Sequence, residues 1–172
     1  MKSGFLFDMG YEMKRIILLA LFTFGAIHLS GCSVISAVAT SNRMEEARAA
    51  NAGKQLVPKD GGTYLIPISS ETISYLGSGD TDWKINNTTF TQPKGTYSVV
   101  KVSPGIFNIF GNRRVAGGGE AGFPLEIKAS EAICFYVFNP ISGPARIESY
   151  KGDGCDPLLR PLKNQNVIGK VD

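Results

Sequence analysis

Hydrophobic and polar residues alternate in short segments over most of the chain. From Thr63 onward, Gly, Pro and Asn separate these segments, a pattern typical of an antiparallel β-sandwich or barrel. From Leu125 to Ala129 (LEIKA) the alternation is complete, so one face of this strand should be buried and the other exposed. We predict strands at Tyr64–Ile68, Thr72–Leu76, Trp83–Ile85, Thr88–Phe90, Thr96–Val102, Ile106–Phe110, Leu125–Ala129, Ile133–Phe138 and Arg146–Tyr150, with a last one near Leu158.

One predicted strand and two predicted turns add detail. The run Ala132–Phe138 (AICFYVF) is apolar at almost every position, which predicts a central strand covered on both faces. Asn86-Asn87 predicts a tight hairpin, because asparagine tolerates a positive φ. Pro104-Gly105 predicts a type II turn with the positive φ at the glycine.

The segment that ends at Cys32 has the order of a secretory signal. Lys14 and Arg15 follow Met13, an apolar run extends from Ile16 to about Ile27, and small residues precede the cysteine. A basic region, a short apolar region and small residues before a cleavage point are typical of exported proteins.

The residues Leu29-Ser30-Gly31-Cys32 resemble the lipobox of bacterial lipoproteins. The resemblance implies that a signal peptidase recognises Leu29, Ser30 and Gly31, and that Cys32 becomes the new N-terminus with a diacylglycerol on its sulfur and an N-acyl chain. Such chains hold a protein on a bilayer stably. In the lipoproteins that this chain resembles, an aspartate after the cysteine favours retention in the inner membrane. Ser33 stands there instead, so we expect an outer-membrane anchor facing the periplasm.

Two alternatives concern this N-terminal region. A transmembrane anchor would need about 20 apolar residues, and His28, Ser30 and Gly31 interrupt the run near that length. The residues before Met13 include two acids and fit a signal poorly, so we expect translation to start at Met13, with Met9 as another candidate.

A helix and a linker are predicted between the lipidated cysteine and the first strand. The segment from Ser33 to about Gly53 is rich in alanine, lacks proline and ends at a glycine, which predicts one helix. Its apolar stripe is weak, so we interpret it as a stalk or a loosely docked helix; a partner-binding helix is the alternative. We expect a signal peptide at 1–31, the lipidated stalk and linker at 32–62, the β-sandwich at 63–163 and a C-terminal tail at 164–172.

Composition excludes several function classes. Cleavage before Cys32 leaves about 140 residues, which is enough for one core. The single histidine, His28, lies in the signal, so the mature protein has no Ser–His or Cys–His pair and no histidine-ligated metal. Basic residues barely outnumber acidic ones there, which gives no basis for nucleic-acid binding. We expect no enzyme, no metal and no cofactor beyond the lipid.

Two cysteines remain once lipid occupies Cys32. Cys134 and Cys155 form an even pair in an oxidising compartment, which makes them a candidate disulfide. The alternative is that Cys134 is a small buried hydrophobic residue and that Cys155 is free.

A second resemblance covers about fifty residues. Trp83-Lys84-Ile85-Asn86-Asn87, Gly95-Thr96-Tyr97 and the run from Val102 to Ile109 (VSPGIFNI) are similar to motifs of PEGA-type small β-sandwiches and related lipoprotein domains. Asn87 stands where the family has glycine, and Phe107 where it has His or Tyr. The resemblance implies a transthyretin-like sandwich that acts as a binding or surface module, and it assigns no functional residue.

Carboxylates are the remaining candidates for chemistry. Asp80 and Asp82 imitate the start of a calcium loop, but a lysine occupies the next alternate position and a polar turn fits better. Asp153 and Asp156 would need a second carboxylate nearby to act as a glycosidase pair. Trp83 is interpreted as core, with an exposed sugar-binding platform as the alternative.

The run Gly117–Gly122 satisfies the letters of a dinucleotide-binding motif. A strand must precede and a helix must follow such a motif, and Phe123-Pro124 begins a β-like segment instead, so we interpret the run as a loop. Arg113 and Arg114 before it are interpreted as solvated charges, with a contact to an anion or lipid headgroup as the alternative.

These observations together indicate a membrane-anchored envelope lipoprotein that presents a non-enzymatic binding or structural module to a protein or glycan partner. Two alternatives stay open. One is an envelope hydrolase with paired carboxylates, which would require the aspartates and Trp83 to share a pocket. The other is a subunit of an envelope assembly that pairs an exposed strand edge with a neighbour.

Overall fold

The computed structural model describes residues 39–70, 79–115, 119–140, 143–168 and 171. These residues form a mainly β protein with two sheets, and from Thr40 onward they belong to one compact unit. Residues 39–50 form helix α1. The later elements are β1 (Tyr64–Ser69), β2 (Thr81–Ile85), β3 (Thr88–Gln92), β4 (Thr96–Tyr97), β5 (Val100–Lys101), β6 (Gly105–Arg113), β7 (Glu120–Ile127), β8 (Ala132–Phe138), β9 (Arg146–Lys151), a 3₁₀ helix (Gly152–Cys155), α2 (Asp156–Leu159) and β10 (Lys163–Asn164).

The larger sheet, sheet A, has the strand order β10-β4-β1-β8-β9, and β5 also pairs with β1. Two of its pairings, β1 with β8 and β10 with β4, are parallel, so the prediction of a purely antiparallel sandwich is wrong for this sheet. A parallel partner needs a long connection, and the chain between β1 and β8 supplies one because it contains all of the second sheet.

The smaller sheet, sheet B, has the order β3-β2-β6-β7 and is antiparallel throughout. Its inner face packs on sheet A through a core that includes Trp83, Ile109, Phe135 and Val137. Trp83 is only 1% exposed and meets Phe135 edge to face at a centroid distance of 5.0 Å. Trp83 is therefore a core residue and not a sugar-binding platform.

The other face of sheet A carries a second core. Ile66 from β1, Tyr97 from β4 and Cys134 from β8 pack there against Leu159 of α2 and Leu56 from the segment after α1. Every residue of β1 is buried, and β8 is buried over most of its length. The prediction that Ala132–Phe138 is a strand covered on both faces is confirmed.

The hairpin predicted at Asn86-Asn87 is confirmed. Ile85 pairs with Thr88, and Asn86 has a φ of 52°. The type II turn predicted at Pro104-Gly105 is wrong, because Gly105 lacks a positive φ and begins strand β6.

Three other predicted strands differ from the structure or lie outside it. The strand predicted near Leu158 is helix α2, which has a proline in its first turn and an ion pair of 2.5 Å between Asp156 and Arg160. The strand predicted at Thr96–Val102 is two short strands, β4 and β5, which both pair with β1. The strand predicted at Thr72–Leu76 lies outside the described residues.

The predicted linker and tail are parts of the domain. Leu56 and Val57 of the linker are buried in the second core, and Val171 of the tail is buried in the core between the sheets. The boundary expected after residue 163 falls inside β10. Burial of apolar side chains at these positions removes apolar surface from water, which stabilises the fold.

Helix α1 is docked on the domain at its C-terminal end. Ala47 is 3% exposed, and the Asn51 side chain donates to the carbonyl oxygens of Arg160 and Leu162 at 3.1 and 2.8 Å. The prediction of a loosely docked helix underestimates this contact. It relied on the pattern of apolar residues along the helix, and that pattern does not reveal the hydrogen bonds that Asn51 donates to the carbonyl oxygens of Arg160 and Leu162.

Cys134 and Cys155 form a disulfide in the structure, with their Cα atoms 5.7 Å apart. Both residues are fully buried. The bond lies within the second core and fixes the 3₁₀ helix and the start of α2 against β8. Oxidation of this pair in the cell stays a prediction.

Loss of this disulfide should destabilise the domain. Closing a loop of 21 residues constrains the unfolded chain by about 3 kcal/mol. We expect reductant to lower the free energy of unfolding by that amount, measured by urea denaturation, and to have no effect on a Cys134→Ala/Cys155→Ala variant. Two alkylatable thiols in the non-reduced protein would contradict the prediction.

Candidate functional site

Sheet B has one face in the core, and its other face, the open face, is directed to solvent. Because side chains alternate along a strand, the pairing register sets the rows on this face. Thr91, Asp82, Asn112 and Glu120 form one row across β3, β2, β6 and β7. Lys84 and Phe110 lie in the next row, and all of these side chains except the half-buried Asp82 are exposed.

The two rows line a shallow depression with a volume of about 450 Å³. Its walls combine one exposed aromatic ring, an amide, two carboxylates, a lysine and threonine hydroxyls, above the buried Trp83 and the half-buried Phe90. This set can stack on a flat apolar face and exchange hydrogen bonds with several polar groups at once.

Phe110 is the exposed aromatic residue of the depression, with 40% of its surface accessible. Its ring lies against Gly122 on the adjacent strand. A Cβ at Gly122 would lie 2.4 Å from Phe110 Cδ1 and 2.6 Å from Cε1. The missing side chain at Gly122 therefore lets the ring lie close to the sheet, where it forms a platform.

Asp82 is held by an ion pair at the edge of the depression. Arg114 Nε and Nη2 donate to its two carboxylate oxygens, both at 2.7 Å, and Thr91 Oγ1 donates at 2.7 Å. Partial burial works to raise the pKa of Asp82, but these hydrogen bonds and the charge of Arg114 outweigh it, so the pKa lies below its usual value. Asp82 therefore stays ionised and unsuited to donate a proton as a general acid.

The other candidate carboxylates lie elsewhere. Asp80 accepts a hydrogen bond from the backbone N–H of Lys94 at 2.9 Å, as a turn residue does. Asp153 and Asp156 flank Cys155 beneath the second core and form ion pairs with Lys59 and Arg160. The structure thus brings Asp82, but not Asp80, Asp153 or Asp156, into the depression that Trp83 also lines.

The remaining residues singled out from the sequence have structural contacts or incomplete descriptions. Arg113 is buried, and its Nη2 donates to the carbonyl of Ser70 at 3.1 Å. Arg114 is engaged with Asp82. The glycine-rich run is described only from Gly119, and Cys32 with its lipobox lies outside the described residues. Among the residues that are described, no group of three or more His, Cys, Asp or Glu side chains could hold a metal ion.

Sequence reasoning missed Phe110, Asn112 and Glu120 as site residues. Phe107 and Ile109 of β6 face the core, whereas Ile106 and Phe110 are exposed apolar residues on the same strand. Apolar residues on both faces of β6 could have indicated a binding surface. Without the pairing of β6 with β7, however, the sequence does not show which face of the sheet is open.

A second exposed aromatic cluster lies on β8 and β9. The Tyr136 hydroxyl donates to Glu148 at 2.5 Å, the rings of Tyr136 and Tyr150 stack at 6.3 Å, and Arg146 lies over the Phe138 ring at 4.7 Å. Burial and the Glu148 hydrogen bond raise the pKa of Tyr136 above its ordinary value. These groups bind one another, so the cluster offers a ligand fewer polar contacts than the open face.

No protein-family model, no curated protein and no solved structure matches this chain. No helix within the described ranges is both long and apolar enough to cross a bilayer.

Substitution by alanine should destabilise the protein much more at one of two glycines on adjacent strands than at the other. A Cβ at Gly111 would lie 2.5 Å from the Trp83 ring and 2.6 Å from Val137 Cγ2 in the core, so Gly111→Ala should lower the free energy of unfolding by about 1–3 kcal/mol. Gly122→Ala should change it by less than about 1 kcal/mol, because the exposed Phe110 ring can move aside. Urea denaturation measures both effects, and equal losses would contradict the placement of the ring.

Proposed function

We propose that this protein is a lipid-anchored lipoprotein of the cell envelope whose β domain binds polysaccharide without catalysis. The observation that carries the binding proposal is the Phe110 platform beside a row of amide, carboxylate and hydroxyl groups on the open face of sheet B. The lipobox supports the anchor. The absence of an aspartate after Cys32 supports the outer membrane, with the domain facing the periplasm.

The chemistry of the open face favours a sugar chain over other ligands. A pyranose presents C–H groups on one face, which stack on an aromatic ring, and hydroxyls at its edge, which pair with carboxylates and amides. An apolar partner would meet only one exposed ring in the depression. An anionic ligand would meet Asp82 and Glu120, with Lys84 as the compensating charge.

A PEGA-like or transthyretin-like identity of the sandwich belongs to the same proposal. The two-sheet architecture and the hairpin at Asn86-Asn87 support it. Domains of this kind are generally binding or surface modules, which agrees with a non-catalytic role.

An envelope hydrolase is the second candidate, and one observation favours it. Asp82 and Glu120 line the same depression on either side of Asn112, which separates their Cα atoms by about 10 Å, or two strand spacings. Glycosidases need one carboxyl that stays protonated at neutral pH. The lowered pKa of Asp82 makes it unsuited to that role. Both of its oxygens already accept hydrogen bonds from Arg114 or Thr91, which makes it a weak base or nucleophile as well, so we favour binding.

The anchor is tested at Cys32. We expect radiolabelled palmitate to enter the wild-type protein in cells but not a Cys32→Ser variant, and we expect this variant to leave the membrane fraction. A Cys134→Ala/Cys155→Ala variant should keep the label, which separates lipidation from the disulfide. Absence of label in the wild type, or unchanged fractionation of Cys32→Ser, would refute the anchor.

The binding face is tested at Phe110. Phe110→Ala should weaken co-sedimentation with purified cell-wall polysaccharide by about tenfold, since loss of one stacking contact costs about 1.4 kcal/mol. Ile106→Ala is the matched control, because Ile106 is 69% exposed on the same face of β6 but does not line the depression.

Three outcomes distinguish the candidates. Weaker binding by Phe110→Ala alone supports the proposal. Equal binding by the two variants, or no binding by the wild type, contradicts it. Release of soluble sugars by the wild type would support the hydrolase instead.

A further inference from the structure

Two side chains of opposite charge flank the Phe110 ring on the open face of sheet B. Lys84 on β2 pairs with Phe110 itself, and Glu120 on β7 pairs with Asn112, one row further along β6. Both charged residues are exposed, and both line the depression. A ligand that stacks on Phe110 therefore meets a cation on one side of the ring and an anion on the other.

Neither of these two charges has a partner in the part of the chain that the structure describes. Lys84 and Glu120 form no ion pair and no side-chain hydrogen bond there, whereas Lys151 and Glu131 pair with each other at 2.6 Å. A ligand can bind both groups without first breaking an internal contact.

The third charged residue of the depression, Asp82, is already neutralised. Arg114 donates to both of its carboxylate oxygens at 2.7 Å. The charges that a ligand can still compensate are therefore one positive and one negative.

The sheet holds these two charges apart. Lys84 and Glu120 lie two strands and one row from each other, which separates their Cα atoms by about 12 Å. Exposed charges at this distance are largely screened from each other at physiological salt, where the Debye length is about 8 Å. Each charge therefore acts on a different part of an extended ligand.

We propose that the open face prefers a sugar chain that carries both carboxylate and free amino groups, with a carboxylate at Lys84 and an ammonium group at Glu120. This inference rests on the proposed polysaccharide binding and adds the charge of the ligand to it. A chain with charges of one sign would be attracted by one residue and repelled by the other. A neutral chain would gain nothing from either charge.

Four oligosaccharides with the same backbone test this preference. They are oligomers of N-acetylglucosamine, of glucosamine, of O-carboxymethylated N-acetylglucosamine and of O-carboxymethylated glucosamine, which are neutral, cationic, anionic and amphoteric in turn. Calorimetric titration of the full-length protein in a non-ionic detergent measures each Kd. We expect the amphoteric oligomer to bind about fivefold more tightly than the neutral one at low salt, because each exposed ion pair contributes about a two- to threefold gain. Salt at about 1 M should remove this preference.

Variants of the two charged residues should change different preferences. Lys84→Gln should remove the preference for the amphoteric over the cationic oligomer, since the carboxylates lose their partner and the ammonium groups are no longer repelled. Glu120→Gln should remove the preference for the amphoteric over the anionic oligomer for the converse reason. Glu126→Gln and Lys128→Gln are the matched controls and should change neither preference, because both residues are exposed charges that do not line the depression.

Four outcomes would overturn the inference. They are equal binding of the four oligomers, tightest binding of an oligomer with charges of one sign, unchanged preferences in both Lys84→Gln and Glu120→Gln, and no binding of any oligomer by a protein that co-sediments with polysaccharide. Equally tight binding of a short peptide with one lysine and one glutamate would assign the two charges to a peptide ligand and also overturn it.

Failure of the proposed function gives a different result. If only the charge preference is wrong, the oligomers still bind and Phe110→Ala still weakens their binding. If the protein binds neither the oligomers nor cell-wall polysaccharide, the proposed binding function itself is refuted.

Discussion

The fold depends on the burial of sheet A on both faces. Strands β1 and β8 lie side by side in this sheet and are apolar in both directions. One face meets sheet B, and the other meets α2, the segment after α1 and the disulfide. Sheet B and α2 each bury apolar side chains against sheet A, and this contact positions them on it.

That constraint also produces the candidate site. Sheet B needs only one face to cover sheet A, which leaves the other free for polar residues and one aromatic ring. The rigid pairing of β2, β6 and β7 then holds Asp82, Phe110 and Glu120 in fixed relative positions. A preformed surface of this kind loses little conformational entropy on binding a ligand.

The sequence was sufficient where one local pattern determines the structure. The alternation in β7, the apolar run of β8 and the asparagine pair at residues 86 and 87 were each interpreted correctly for that reason. The sequence was insufficient where contacts between residues far apart in the chain determine the structure. The helix at Asp156–Leu159 forms where its leucine can reach the second core, and the rows of the open face exist only once β6 pairs with β7. The role of Gly122 could not be predicted for the same reason, because this glycine makes room for the ring of Phe110 on the neighbouring strand.

The parallel pairing of β1 with β8 has a further consequence for biogenesis. Tyr64 pairs with Ala132, and Val171 completes the core between the sheets, so native contacts of the first strand wait for polypeptide made much later. Such non-local topology folds slowly. The central sheet therefore stays open until β8 has been synthesised, and during that interval the apolar residues of β1 lack their native cover.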